Sequence, residues 1–230
     1  MCDNPSAIML FAAGFGTRMG TLTADRPKPL IPVAGKPLID HALDLVSGHG
    51  VPRIVVNTHY LPEQVAAHLA GRDIMISNEQ PDILETGGGL RAALPLLGAG
   101  PVFTMNTDAV WRGPNPLAQL AAAWEPDKMD ALLLCVPREQ TVGHAGQGDF
   151  VRSETGQAAR GPGLIYSGVQ IIKPSGLGKI RHNAFSLNLL WDKMLQAGRL
   201  HAAEYPGLWC DVGSPDGIML AEKMLDGADV

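Results

Sequence analysis

The chain has 230 residues and a mass of 24.4 kDa, with 46% hydrophobic and 18% charged residues; this composition suits one substantial buried core and excludes a disordered or fibrous protein. A net charge of -5 and a pI near 5.8 exclude the basic field that nucleic acid or an anionic membrane surface requires, so any phosphorylated ligand must be held by a few placed cations. Cys2, Cys135 and Cys210 lack a CxxC spacing and suit a reducing compartment, no apolar run approaches the roughly 20 residues of a membrane span, and Met1 to Ser6 carries no basic leader region, so the expected location is the cytoplasm.

The first predicted element is an apolar strand over Ala7 to Ala13. It breaks into Gly14, Gly16 and Gly20 with Arg18 among them, and Lys28 follows between Pro27 and Pro29. Glycines let backbone N–H groups approach phosphate oxygens, and an Arg and a Lys on one stiffened loop supply cationic charge, so the stretch reads as a polyphosphate cradle. A dinucleotide fingerprint needs its third glycine three residues after the second and then an uninterrupted helix; here Gly20 falls four after Gly16, and Pro27 and Pro29 forbid that helix. A Walker A loop is absent, since Lys36 is followed by Pro37. From the three glycines alone, an ordinary strand-to-loop turn explains the segment equally well.

A helix is predicted over Leu38 to Gly48, a strand over Arg53 to Asn57, a helix over Pro62 to Ala70 and a strand over Ile74 to Ser77. Glu85-Thr86-Gly87-Gly88-Gly89 opens a helix over Leu90 to Leu97, and the strand Val102 to Met105 runs into Asn106-Thr107-Asp108. Asp108 therefore falls at the carboxyl end of a strand, where open α/β sheets bind ligands. A helix over Pro116 to Trp124 and a strand over Ala131 to Val136 lead into Gly143 to Gly163, whose glycine, glutamine and charge predict hairpins and loops that line a substrate pocket and close over it. A strand over Ile165 to Ile172, a helix over Ala184 to Ala197, an Asp211-Val212-Gly213 turn and a helix over Pro215 to Leu225 complete the chain. Strands alternating with helices predict an α/β fold with a mixed, mostly parallel sheet flanked by helices, and the lack of an internal repeat or linker predicts a single domain over 1–230.

Ala12-Ala13-Gly14-x-Gly16-x-Arg18, then Pro27-Lys28-Pro29-Leu30 and Gly35-Lys36-Pro37, resembles the signature of the sugar-1-phosphate nucleotidyltransferases. The likeness extends along the chain. Leu208-Trp209-Cys210-Asp211-Val212-Gly213-Ser214-Pro215 is similar to that family's Trp-x-Asp-x-Gly-Thr-Pro segment, and Tyr166-Ser167-Gly168-Val169 to its Phe-Ser-Gly-Ile/Val segment. The resemblance implies a Rossmann-like nucleotidyltransferase fold and an enzyme in which a sugar-phosphate oxygen attacks the α-phosphorus of a nucleoside triphosphate and expels pyrophosphate.

For the site, the resemblance implies catalytic Arg18 on the β and γ phosphates and Lys28 on the α-phosphate or the sugar phosphate. Asp108 and Asp211 become ligands of Mg2+, a cation that takes one or two carboxylates together with phosphate and water oxygens. Ala12, Ala13, Gly14, Gly16, Thr17, Glu85, Gly87, Gly88 and Asn106 become nucleotide-binding residues, and Asp149, Ser167 and Gly168 sugar-binding ones. Each aspartate taken alone reads more readily as a turn former or helix N-cap than as a metal ligand. The partners implied are a nucleoside triphosphate and a sugar 1-phosphate, for a monomer or small homo-oligomer.

The Glu-Lys-Pro triplet that many larger relatives carry before the last sheet strand is replaced by Arg160-Gly161-Pro162. With the short chain and the Leu84-Glu85-Thr86-Gly87-Gly88-Gly89 and Gly148-Asp149-Phe150 segments, this is most like the bacterial N-acetylmuramate-1-phosphate uridylyltransferases of cell-wall recycling. Mannose-1-phosphate guanylyl transfer, glucose-1-phosphate uridylyl or thymidylyl transfer, cytidylyl transfer to a non-sugar alcohol phosphate, and a nucleotide-binding module without catalysis stand as alternatives.

Overall fold

The computed structural model describes residues 4–227, so Cys2 lies outside the described residues. In chain order it contains β1 (Ala7–Phe11), β2 (Pro32–Val33), β3 (Lys36–Pro37), α1 (Leu38–His49), β4 (Arg53–Thr58), α2 (Pro62–Leu69) and β5 (Met75–Asn78). There follow α3 (Glu85–Leu97), β6 (Val102–Asn106), β7 (Ala109–Arg112), α4 (Pro116–Ala123), β8 (Ala131–Val136) and β9 (Thr141–Val142). The last third holds β10 (Phe150–Arg152), β11 (Ala158–Arg160), β12 (Ile165–Ile172), α5 (Asn188–Gln196), β13 (Leu200–Glu204), β14 (Leu208–Asp211) and α6 (Pro215–Leu225).

Among the described residues, the central sheet has seven strands in the order β13-β8-β12-β6-β1-β4-β5. β1 pairs parallel with β4 and β6, β4 with β5, and β13 with β8, whereas β12 runs antiparallel to both its neighbours. The chain leaves β1 for β4 and β5 on one side and returns to β6 on the other. The sheet's topological switch point therefore lies between β1 and β6.

The two-residue period of a strand divides the core between the sheet faces. On β1, Ile8 and Leu10 join the cluster built with Ile39, Val46, Val65 and Leu117 of α1, α2 and α4. Ala7 and Met9 join the opposite cluster, with Leu90 and Ala93 of α3 and Leu190 and Trp191 of α5. A third cluster, including Met19, Val110, Cys210 and Met224, packs the glycine-rich loop and α6 against the small sheet β7-β14-β9. That sheet carries Asp211 to the site.

Several boundaries differ from the sequence-based expectations for identifiable reasons. α3 starts at Glu85 rather than Leu90, because Gly87, Gly88 and Gly89 lie within the helix, the first two letting another backbone segment pass close to it and Gly89 making room for the Glu79 and Asn57 side chains. That segment accepts hydrogen bonds from Gly87 N–H (2.8 Å) and Gly88 N–H (3.1 Å) at Phe185 O. This pairing keeps residues 184–187 out of α5, which starts at Asn188 rather than Ala184. The expected hairpin region contains β10 paired with β11, and Arg152 Nε fastens it to Ala202 O of β13 at 2.9 Å.

Candidate active site

The carboxyl ends of three adjacent parallel strands meet in one row. Phe11 of β1 stands opposite Asn57 of β4 on one side and Asn106 of β6 on the other. A cleft of about 320 Å³ opens there, at the switch point, and takes in Phe11 to Gly14, Gly16 to Arg18, Lys28, Asn57, Glu79, Asn106 and Asp108. Ala12, Ala13, Gly14, Gly16, Thr17, Arg18, Lys28, Glu85, Asn106 and Asp108 are thus gathered into one place from four parts of the sequence.

The loop between β1 and β2 is shaped by its cation. Gly16 has φ +65, and a Cβ there would lie 2.9 Å from the Cβ of Lys28, so a glycine is needed for conformation and for space. Lys28 sits in a single 3-10 turn with Pro29 in it, is 8% exposed, and donates from Nζ to Asp108 Oδ2 at 2.7 Å. The ion pair offsets part of the cost of taking a lysine ammonium that far out of water.

Asp108 and Asp211 come together through strand pairing. In the antiparallel β7–β14 ladder Asp211 stands opposite Ala109, and Val212 N–H donates to Asp108 O at 2.8 Å. Thr107 holds the turn: its hydroxyl donates to Phe11 O at 2.8 Å, tying the Asp108 segment to the end of β1. At Gly213, which lines the cleft, a Cβ would lie 3.0 Å from Asp211 Oδ2 and 3.1 Å from Arg18 Nη1, so glycine leaves room for both. Burial holds the Asp211 carboxyl above its usual range and the Asp108 charge adds to this, while Lys28, Arg18 and His144 pull the other way. Two carboxylates that repel one another beside a phosphate-sized cleft are a donor set that a hard divalent cation relieves. Among the described residues no cluster of three or more His, Cys, Asp or Glu side chains is placed to hold a metal, so phosphate and water oxygens would complete the shell.

The opposite wall is built on a buried carboxylate. Glu79, 1% exposed, accepts from Asn57 Nδ2 at 2.6 Å and from Leu84 N–H at 2.7 Å, and Asn57 Oδ1 accepts from Ala12 N–H at 2.7 Å. This chain fixes the distance between the glycine-rich loop and the start of α3. Glu85 and Thr86 face the cleft, whereas Gly87 and Gly88 do not line it; their N–H groups are used by Phe185 O.

A second cavity of about 300 Å³ shares Phe11, Thr86 and Asn106 with the first and is otherwise lined by residues that include Asp149, Phe150, Arg160, Tyr166, Asn188 and Trp191. Asp149 lines it as expected from the sequence, and its Oδ2 accepts from Tyr166 N–H at 2.9 Å. Ser167 and Gly168 line neither cavity. The Ser167 hydroxyl is committed to Leu134 O at 2.7 Å, and Gly168, φ +83, packs so closely that a Cβ would lie 2.7 Å from Asn106 Nδ2. Both shape the bulge in β12 that supports Asn106.

Sequence reasoning missed Asn57 and Glu79 as cleft residues. Asn57 had a readable signal, a polar residue ending a strand predicted to lie in a parallel sheet. Glu79 had none, since its burial appears only when β4, β5 and α3 close around it.

Residues 8–170 match the family model described as "MobA-like NTP transferase domain". The chain is 41% identical to the N-acetylmuramate alpha-1-phosphate uridylyltransferase of Caulobacter vibrioides, over 98% of this chain and 99% of that protein. It is 36% identical to the enzyme of that name from Neisseria meningitidis serogroup B, over 90% of this chain and 92% of the other. The crystal structure of HddC from Yersinia pseudotuberculosis complexed with GMP-PN has the same fold, with a TM-score of 0.77 at 20% identity, covering 95% of this chain and 99% of that one.

Proposed function

The chain belongs to the MobA-like NTP transferase domain family, and on that premise we propose that it transfers the uridylyl group of UTP to N-acetyl-α-muramate 1-phosphate, giving UDP-N-acetylmuramate and pyrophosphate. The observation that carries this reading is the two-part cleft. One part offers glycine backbone, Arg18, Lys28 and Asp108, as a polyphosphate needs, and the part joined to it through Phe11, Thr86 and Asn106 offers aromatic walls and polar edges, as a sugar needs. The near full-length similarity to two uridylyltransferases supports UTP and the muramate sugar over the guanylyl and thymidylyl alternatives.

In this reading an oxygen of the sugar phosphate forms a bond to the α-phosphorus while the bond to the β-phosphate oxygen breaks. The attacking oxygen is already ionised near neutral pH, so the chemistry requires alignment and charge neutralisation rather than a general base. Arg18 holds the departing pyrophosphate, and Lys28, kept deep in the cleft by Asp108, faces the α-phosphate and the incoming sugar phosphate. Asp108 and Asp211 would hold Mg2+, which would supply positive charge to the phosphate oxygens. The Glu79–Asn57–Ala12 chain keeps the base side of the cleft rigid. We assign this work to a single catalytic domain over 1–230, in the cytoplasm, where the triphosphate is available; among the described residues no helix is long and apolar enough to cross a membrane.

Incubation of the protein with UTP, N-acetyl-α-muramate 1-phosphate and Mg2+, followed by mass spectrometry, is expected to yield UDP-N-acetylmuramate. Lack of that product under conditions where another nucleotide sugar forms would contradict the substrate assignment.

A further inference from the structure

The second cavity contains one feature that a plain hexose does not call for. Among the described residues lining it, Arg160 is the one cation. Its guanidinium carbon lies 5.0 Å from the Phe150 ring centroid and 5.7 Å from that of Trp191, so the partly exposed cation rests against two rings. Nη2 donates to Asn188 Oδ1 at 2.7 Å and to Asp192 Oδ1 at 3.1 Å, which uses both its hydrogens. Asn188 is itself held, since its Nδ2 donates to Ser186 Oγ at 3.0 Å. Nε and Nη1 have no partner among the described residues. The guanidinium is thus oriented from one side, with donors left over.

The acids nearby are engaged: Asp192 with Nη2, and Asp149 with the Tyr166 N–H. A neutral hydroxyl gains little from a stacked, oriented cation, whereas a carboxylate gains charge-assisted hydrogen bonds. N-Acetylmuramate differs from N-acetylglucosamine in carrying a lactyl ether that ends in a carboxylate. Resting on the function proposed above, we infer that Arg160 is the specificity-determining residue that binds this carboxylate, and that Asn188 and the Phe150–Trp191 pair position it.

The test compares N-acetyl-α-muramate 1-phosphate with its lactyl carboxamide, which keeps the shape and loses the charge. The wild-type protein is expected to prefer the acid in kcat/KM, and Arg160→Met to lower the acid-to-amide ratio by about 10- to 100-fold, with the KM for UTP little changed. Arg160→Lys, which retains charge without the fork, is expected to fall between. Because the readout is a ratio, a variant that is merely less well folded lowers both rates and leaves it unchanged. An unchanged ratio in both variants would overturn the inference alone. A wild-type protein that prefers N-acetylglucosamine 1-phosphate to both muramate substrates would overturn the proposed function and this inference with it.

Discussion

Lys28 and Asp211 occupy opposite electrostatic situations at the same site. Lys28 is buried but paired, so removing its side chain leaves a half-exposed Asp108 that water can solvate, and the fold survives. Lys28→Ala is expected to lower kcat by about 100-fold or more with a thermal midpoint close to the wild type, read by steady-state kinetics and calorimetry. Asp211 is half-buried beside a second carboxylate and held above its usual range by both effects. Asp211→Asn is therefore expected to abolish Mg2+-dependent activity while raising the thermal midpoint of the metal-free protein; a lower midpoint would show that Asp211 is a structural residue. Gly168→Ala tests the support under Asn106. At φ +83 with a Cβ only 2.7 Å from Asn106 Nδ2, the substitution should cost about 1–3 kcal/mol in denaturant unfolding and weaken substrate binding through Asn106. At this scale the gathering of Arg18, Lys28 and Asp108 into one cleft was legible, because they stand on the glycine-rich loop and at the carboxyl end of a strand. The roles of Ser167 and Gly168 were not, since a hydroxyl turned to a neighbouring carbonyl and a glycine under an asparagine look in sequence like any other pocket residues.

Among the elements, the long apolar strands and amphipathic helices were readable from their periods; besides the two-residue β2, β3 and β9, the ones missed were β7, β13 and β14. Each is four or five residues long, and β13 places His201 among apolar neighbours, so no clean alternation marks it. Yet β7 and β14 bring Asp211 to Asp108, which means that the site's second carboxylate is positioned by pairing that no local pattern announces. β13 also carries a pH dependence. His201 is buried, its Nδ1 has no partner among the described residues, and desolvation lowers its pKa from 6.5. The unfolded chain then binds the extra proton between the two values, so this contribution to stability is complete above about pH 6.5 and is lost as pH falls from there through the folded-state value. Denaturant midpoints measured between pH 7.5 and 5.5 should fall in the wild type, and His201→Leu should flatten the fall; equal slopes would assign the acid sensitivity elsewhere.

For the molecule as a whole, the alternation of strand and helix sufficed to foresee a mostly parallel sheet covered on both faces, because that arrangement is what buries continuous apolar strands. The reversed β12 and the position of the switch point were beyond it, as both depend on the order in which strands add to the sheet. The switch point nonetheless explains why residues as distant as Lys28, Glu79 and Asp108 share one cleft. A molecule of net charge -5 places Arg18 and Lys28 together there. The central claim is that this cleft joins a uridylyl group to a muramate phosphate. Its most direct test is Mg2+-dependent pyrophosphate release measured with UTP, dTTP, GTP and CTP, each paired with N-acetylmuramate, N-acetylglucosamine, glucose and mannose 1-phosphates. The highest kcat/KM is expected for UTP with N-acetylmuramate 1-phosphate; a higher value for another pair, or no release with any, would contradict the assignment.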